Sequence, residues 1–235
     1  MTDLNVKALL FDTFGTVVDW RTSIIEDFTR FGRKKGLNVD WAAFVDEWKT
    51  AYRPGMDAVR EGRAPWSNVD SIYRQKLDAL IEKRGLTVSE EDRVWLNRAW
   101  DRLNPWPDAV AGLTRLKKKF IISPLSNGDV SCLVNMAKHG GLPWDVILCA
   151  EIFKHYKPDP EVYLDAIAYL GLKPEETMMV AAHNYDLRAA RSHGMRTAFV
   201  ARPTEYGPNQ KTDLAAEEAW DVVAGDFGAL ADRLL

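Results

Sequence analysis

The sequence predicts an α/β protein: a doubly wound, mostly parallel sheet whose chain leaves early to build an all-helical insertion. Three observations carry this reading. A continuous apolar run near the start, at residues 6–11, has the length and polar flanks of a buried strand. Helical spacing then holds from about residue 20 to residue 105. Beyond that point apolar strand runs alternate with helical patterns, the order that produces a parallel sheet covered on both faces.

Within the insertion, Ile24, Ile25, Phe28 and Phe31 form one amphipathic face that closes at Gly36. A second helix starts at an Asp40 cap and carries Trp41, Phe44, Val45 and Trp48. It is expected to end near Arg53, because Pro54 disfavours helical backbone in the residue before it. Asn68 caps a third helix through Val69, Ile72, Leu77, Leu80 and Ile81, and Ser89 with Asp92 opens a fourth. Pro105-Trp106-Pro107 breaks the helical run, and strands follow at 120–125, 145–149, 177–182, 196–200 and 221–224. The chain therefore divides into a Rossmann-like core, residues 1–19 and 106–235, and a helical cap, residues 20–105.

At 235 residues the chain is long enough for one large domain with a modest insertion. A net charge of −3 supplies no basic field for nucleic acid. The run Lys117-Lys118-Lys119 sits where a helix should end, and the helix dipole accounts for it. Two cysteines, Cys132 and Cys149, make no disulfide framework and have no metal-type spacing. There is no charged, apolar leader and no stretch of about 18 apolar residues, so a soluble, cytoplasmic protein without a membrane partner is expected.

Four segments place reactive side chains at or shortly after strand ends: Asp12 after Ala8-Leu9-Leu10-Phe11, Ser126-Asn127 after 120–125, Lys157 in Lys157-Pro158-Asp159-Pro160, and Asp186 after 178–182. In open parallel sheets ligands bind outside the carboxyl ends of the strands, so these groups should meet in one crevice. Asp12-Thr13-Phe14-Gly15-Thr16 exposes a carboxylate beside a turn glycine and free backbone N–H groups. Such a carboxylate can act as a nucleophile that forms an ester. The plain alternative is an aspartate capping a turn.

This segment resembles the first motif of the haloacid dehalogenase superfamily, and the other three follow in that family's order across essentially the whole chain. Most members carry a second aspartate two residues after the nucleophile, as acid for a leaving alcohol. Phe14 stands there instead, which is similar to the L-specific 2-haloacid dehalogenase branch, whose halide leaves without a proton. The resemblance implies that Thr16 supports the nucleophile loop and that Ser126 and the Thr13 and Phe14 amides hold a substrate carboxylate. It further implies that Asn127 faces the halide, that Lys157 keeps Asp12 ionised, and that Tyr163 is the tyrosine found six residues after that lysine. In the fourth segment the branch often reads Ser-x-Asn-x-x-Asp, whereas this chain has Ala181, His183 and Asp186. Asp186 is then expected to orient and deprotonate the hydrolytic water. His183 is expected to join it, since imidazole accepts protons near neutrality; a hydrogen-bonded strand-end histidine is the alternative. His139, His155 and His193 receive no role.

The branch's cap arginine follows a tryptophan, and Trp48-Lys49 matches that place. The halide-binding cation is left open between Lys49, Arg53 and Arg21. Trp48, Trp66 and Tyr185 are the aromatics expected nearest the substrate. The implied reaction is hydrolysis of a short 2-haloalkanoate to a 2-hydroxy acid, with inversion at C2, no metal and no other cofactor. A homodimer is what the resemblance suggests. Two other readings stand beside it: a magnesium-dependent phosphatase, and a non-catalytic ligand-binding member of the same fold.

Overall fold

The computed structural model describes residues 5–235. A six-stranded sheet forms from β1 (Ala8–Phe11), β4 (Ile121–Ser126), β5 (Leu148–Cys149), β6 (Thr177–Ala181), β7 (Arg196–Val200) and β8 (Val222–Ala224). Its order is β5-β4-β1-β6-β7-β8 with every pair parallel. The first strand is therefore central, and the chain continues to β4 on one side and β6 on the other. That reversal of direction opens a crevice at the carboxyl end of β1.

Alternation along the strands explains the two covered faces. Leu9, Phe11, Met178 and Val180 pack on one side with α6 (Ala109–Leu116), α7 (Val130–Gly140) and α11 (Phe227–Leu234). Leu10, Met179 and Ala181 point the other way, to α9 (Pro160–Tyr169) and α10 (Asn184–Ser192). The short α8 (Ala150–Phe153) follows β5. Lys117 occupies the C-cap position of α6, but its ammonium goes to the Pro143 and Trp144 carbonyls and Asp145, and Lys119 donates to the Leu234 carbonyl at the end of α11.

Five helices leave the core through a two-stranded antiparallel stem, β2 (Val18–Asp19) paired with β3 (Asn104–Pro105). They are α1 (Trp20–Lys35), α2 (Trp41–Lys49), α3 (Tyr52–Arg60), α4 (Val69–Lys83) and α5 (Glu90–Asn97). The capping residues are the expected ones: Gly36 ends α1 in left-handed backbone, and Asp40, Asn68 and Ser89 accept from the first turns of α2, α4 and α5. One expectation fails. The second helix stops at Lys49, and Pro54 lies in the first turn of a new helix, α3. A first-turn residue has no intrahelical acceptor for its N–H, so proline is tolerated there. No helix of the described residues is long and apolar enough to cross a membrane.

A buried arginine ties the loop after β7 to the turn that follows β1. Arg202 donates from Nε to the Thr16 carbonyl (2.9 Å) and with both terminal nitrogens to Asp108 (2.8 Å each). Asp108 also accepts the Phe227 N–H at the start of α11. Removing the guanidinium strands a partly buried carboxylate, so Arg202→Met should lower the unfolding free energy by about 2–3 kcal/mol in urea titrations. An unchanged midpoint would contradict this account of the junction.

Candidate active site

Asp12 continues the ladder one residue past β1, its N–H donating to the Val180 carbonyl at 3.0 Å. The chain then turns sharply, with the Val17 and Val18 N–H groups both on the Thr13 carbonyl. The turn brings the Thr16 hydroxyl back onto Asp12 Oδ2 at 2.7 Å, while Thr16 Oγ1 accepts the Ala182 N–H at 2.9 Å. Gly15 has φ +91°, and a Cβ there would fall 2.1 Å from Glu205 Oε1. Only glycine satisfies both conditions.

Lys157 Nζ bridges Asp12 Oδ1 (2.9 Å) and Asp186 Oδ2, and the Tyr163 hydroxyl donates to Asp186 Oδ1 (2.6 Å). Burial would push the Asp12 carboxyl up, but Lys157 and His183 outweigh it and hold it well below the ordinary carboxylate range. Burial acts against the Lys157 charge, and the Asp12 and Asp186 carboxylates overcome it, so the ammonium is kept. Burial pushes Asp186 up despite Lys157.

On the other side of the carboxylate, His183 Nδ1 lies 2.9 Å from Asp12 Oδ2, and Nε2 lies 2.8 Å from Glu205 Oε2. Glu205 also accepts from Trp20 Nε1 at 3.0 Å. Two carboxylate neighbours suit an imidazolium, which donates from both nitrogens. Burial opposes that charge, but Glu205 and Asp12 prevail and raise the His183 pKa well above 6.5.

A cavity of about 210 Å³ opens over this cluster, lined in part by Asp12, Phe14, Lys49, His183 and Glu205. Arg53, Tyr185, Tyr52, Thr50 and Tyr206 form the rest of its wall. Lys49 Nζ donates to the Tyr73 hydroxyl at 3.2 Å, and burial lowers its pKa to about 8 against the pull of Glu205 and Asp12. The Arg53 guanidinium lies 4.9 Å above the Tyr185 ring.

The structure thus brings together Asp12, Phe14, Thr16, Lys157, Asp186, His183, Lys49, Arg53 and Tyr185. Other expected contacts are spent elsewhere. Ser126 Oγ accepts the Gly128 N–H, and Asn127 exchanges hydrogen bonds with the Lys157 backbone; neither lines the cavity. The Asn127 amide thus holds the lysine's backbone in place. Thr13 is fully buried and Tyr163 faces Asp186, behind the lysine. Both Asp186 oxygens are engaged by Lys157 and Tyr163, and Asp186 too lies outside the lining. Arg21 is paired with Asp46 and lies outside the lining, so of the three candidate cations Lys49 and Arg53 reach the cavity. Trp48 is sealed in the helical layer, its Nε1 on the Tyr73 carbonyl, and Trp66 stacks on Tyr156. Neither tryptophan lines the cavity.

Glu205, Tyr52 and Tyr206 are cavity residues that sequence reasoning did not find. For Glu205 a signal existed. The strand-end rule used for Asp12 applies equally to the loop that follows 196–200.

The family model for haloacid dehalogenase-like hydrolases matches residues 6–194. The chain belongs to this family. A crystallised L-2-haloacid dehalogenase is 49% identical over 97% of this chain and 98% of its own, with a TM-score of 0.96. A crystallised defluorinating L-2-haloacid dehalogenase is 46% identical over 97% and 95%, with a TM-score of 0.95. Among named relatives, (S)-2-haloacid dehalogenase 4A of Burkholderia cepacia is 28% identical over 94% of this chain and 96% of its own.

In this hydrolase the His183 proton should answer to Glu205. Because the folded pKa lies above the unfolded one, its stabilisation is full below pH 6.5 and is lost as pH rises through the folded value. In NMR titrations His183 should stay protonated through neutrality, and Glu205→Gln should move its titration downward. An imidazole that titrates near 6.5 in both proteins would refute the proposed charge pairing.

Proposed function

We propose that this hydrolase converts short 2-haloalkanoic acids, the L or (S) enantiomers, to 2-hydroxy acids and halide. One observation carries the reading: a buried Asp12, held between Lys157 and His183, faces the cavity with the Phe14 ring, not an acid, two residues on. Position 14 offers a leaving group no proton, which favours one that departs as an anion. The 46–49% identical L-2-haloacid dehalogenases support the same substrate class, and the defluorinating one extends the proposal to fluoride.

In the proposed scheme Asp12 attacks C2 from the side opposite the halogen. The carbon–halogen bond breaks, halide leaves beside Lys49, and C2 inverts. Arg53 at the mouth and the backbone amides after Asp12 attract the substrate carboxylate. Ester formation removes one of the two negative charges that hold the His183 proton, so the imidazolium gives up its Nδ1 proton to solvent through the cavity, the one net proton that accompanies the halide. The neutral imidazole, oriented by Glu205, takes a proton from water as that water adds to the Asp12 carbonyl. When the tetrahedral adduct collapses, its hydroxyl proton passes to the departing alkoxide. Asp12 returns as a carboxylate and His183 as an imidazolium, which restores the resting state. Asp186 and Tyr163 serve by positioning Lys157.

No step in this scheme uses a metal ion or cofactor. A magnesium-dependent phosphatase reading has less to stand on. The carboxylates available beside Asp12 are Asp186, held by Lys157 and Tyr163, and Glu205, held by His183 and Trp20. Among the described residues, the His, Asp and Glu side chains close enough to share an ion are His155, Asp159 and Glu161, outside the cavity lining. The same proposal takes residues 20–105 as the cap, residues 1–19 with 106–235 as the core, a homodimer as the assembly and the cytoplasm as the setting.

Halide release from L-2-chloropropanoate, but not its mirror image, should proceed with chelator present. Asp12→Asn should abolish it, and His183→Asn should slow turnover by roughly a hundredfold while an ester accumulates on the Asp12 peptide. Full turnover by His183→Asn with an unchanged pH profile would remove the base assignment. Turnover by Asp12→Asn would remove the nucleophile.

A further inference from the structure

Lys49 is the one cavity cation enclosed by aromatic rings from both the insertion and the nucleophile loop. Its Nζ lies 3.8 Å from the Tyr52 ring centroid, 5.1 Å from Trp20, 5.3 Å from Trp100, 5.9 Å from Phe14 and 6.0 Å from Tyr73. The rings brace one another: Tyr73 stacks on Trp100 at 4.1 Å, Tyr52 on Tyr73 at 5.9 Å, and Phe14 meets Trp100 edge-on at 5.6 Å. An ammonium has three donors. Here the Tyr73 hydroxyl accepts one, and the described residues offer the other two no acceptor within hydrogen-bond reach.

We propose that these rings form a rigid box that positions a compact ammonium, with two N–H bonds free for the departing halide, so that the site requires lysine and not merely a cation. The inference rests on the dehalogenation reading above and deepens it. Ring faces attract an ammonium without competing for its N–H bonds, as a carboxylate partner would. A guanidinium is planar and lies parallel to a single ring. Tyr52 and Tyr73 lie 16° apart, Tyr73 and Trp100 15° and Trp20 and Trp100 25°, while Phe14 stands across Trp100 at 89° and closes the stack. A guanidinium laid along the stacked rings would press on Phe14 or Tyr52, and both line the cavity. Tyr52, Tyr73, Trp20 and Trp100 are thus positioning residues for Lys49.

The groups whose charge bears on Lys49 are Asp12, Glu205 and Arg53, with His183, Tyr52, Tyr73 and Tyr206 nearby. Its ammonium is already weakened by burial, so loss of the Tyr73 acceptor should move the alkaline limb of the rate profile to lower pH.

The test compares wild type with Lys49→Arg, Lys49→Met, Tyr73→Phe and Tyr52→Leu, each checked for fold by thermal melting. The readouts are halide release, its pH profile, and bromide binding followed by tryptophan fluorescence. Lys49→Arg should keep about a tenth or less of wild-type turnover although its charge is intact. Tyr73→Phe should leave KM within about twofold, weaken bromide binding several-fold and shift the alkaline limb downward. Wild-type turnover in Lys49→Arg would overturn the proposal. So would bromide binding and an alkaline limb unmoved in both tyrosine variants. If wild type releases no halide, the dehalogenation reading fails by itself. Bromide binding then still decides the box, which fails if Lys49→Met binds bromide as wild type does.

Discussion

Asp12 has been stripped of most of its water, and a buried carboxylate left alone takes up a proton. Its ionisation is maintained by two cations placed on opposite sides. Lys157 reaches one oxygen and His183 the other. Each cation is itself buried and needs its own second anion, which is why Asp186 stands behind the lysine and Glu205 behind the imidazole. The result is an alternating chain of five charges centred on Asp12. Removing any member leaves a neighbour buried without its partner, so the cluster is held or lost largely as a unit.

The strand order brings these charges together. Asp12 and the Ala181–His183 segment lie at the ends of the adjacent strands β1 and β6, and Lys157 and Glu205 come from loops on either flank. Arg202 fastens the Glu205 loop to the Thr16 carbonyl, which ties the glutamate to the turn that carries Asp12. Gly15 permits the close approach, since the Glu205 carboxylate occupies the space a side chain would need. The helical insertion adds the apolar half of the site, with Phe14 in the core turn packed against Trp100 of the insertion.

Much of this was legible in the sequence, because strand ends of a parallel sheet converge and apolar runs mark those ends. That rule gathers Asp12, Ser126-Asn127, Lys157 and Asp186, and His183 joins them through the family resemblance. The hydrogen bonds that each would spend could not be read in the same way. Lys157 and Tyr163 each engage one Asp186 oxygen, and the Asn127 amide meets the Lys157 backbone, pairings that no strand-end pattern announces. Glu205 escaped notice because it lies in an irregular loop rich in proline and glycine, where no periodicity marks a side chain as inward. Trp48 shows the converse: helical spacing put it beside Lys49, but successive helix positions face different directions, so the tryptophan packs inward while the lysine reaches the cavity. Pro54 misled for a related reason, since the same residue that ends one helix is acceptable in the first turn of the next.

The account stands on Asp12 carrying the substrate through a covalent ester that water opens at the aspartyl carbonyl. A single turnover with excess enzyme in heavy-oxygen water tests this directly. The first hydroxy acid released should carry ordinary oxygen at C2, and the heavy atom should be recovered in the Asp12 side chain by peptide mass spectrometry. Heavy oxygen appearing at C2 in that first turnover, with Asp12 unlabelled, would mean that water attacks the substrate directly and would contradict the account.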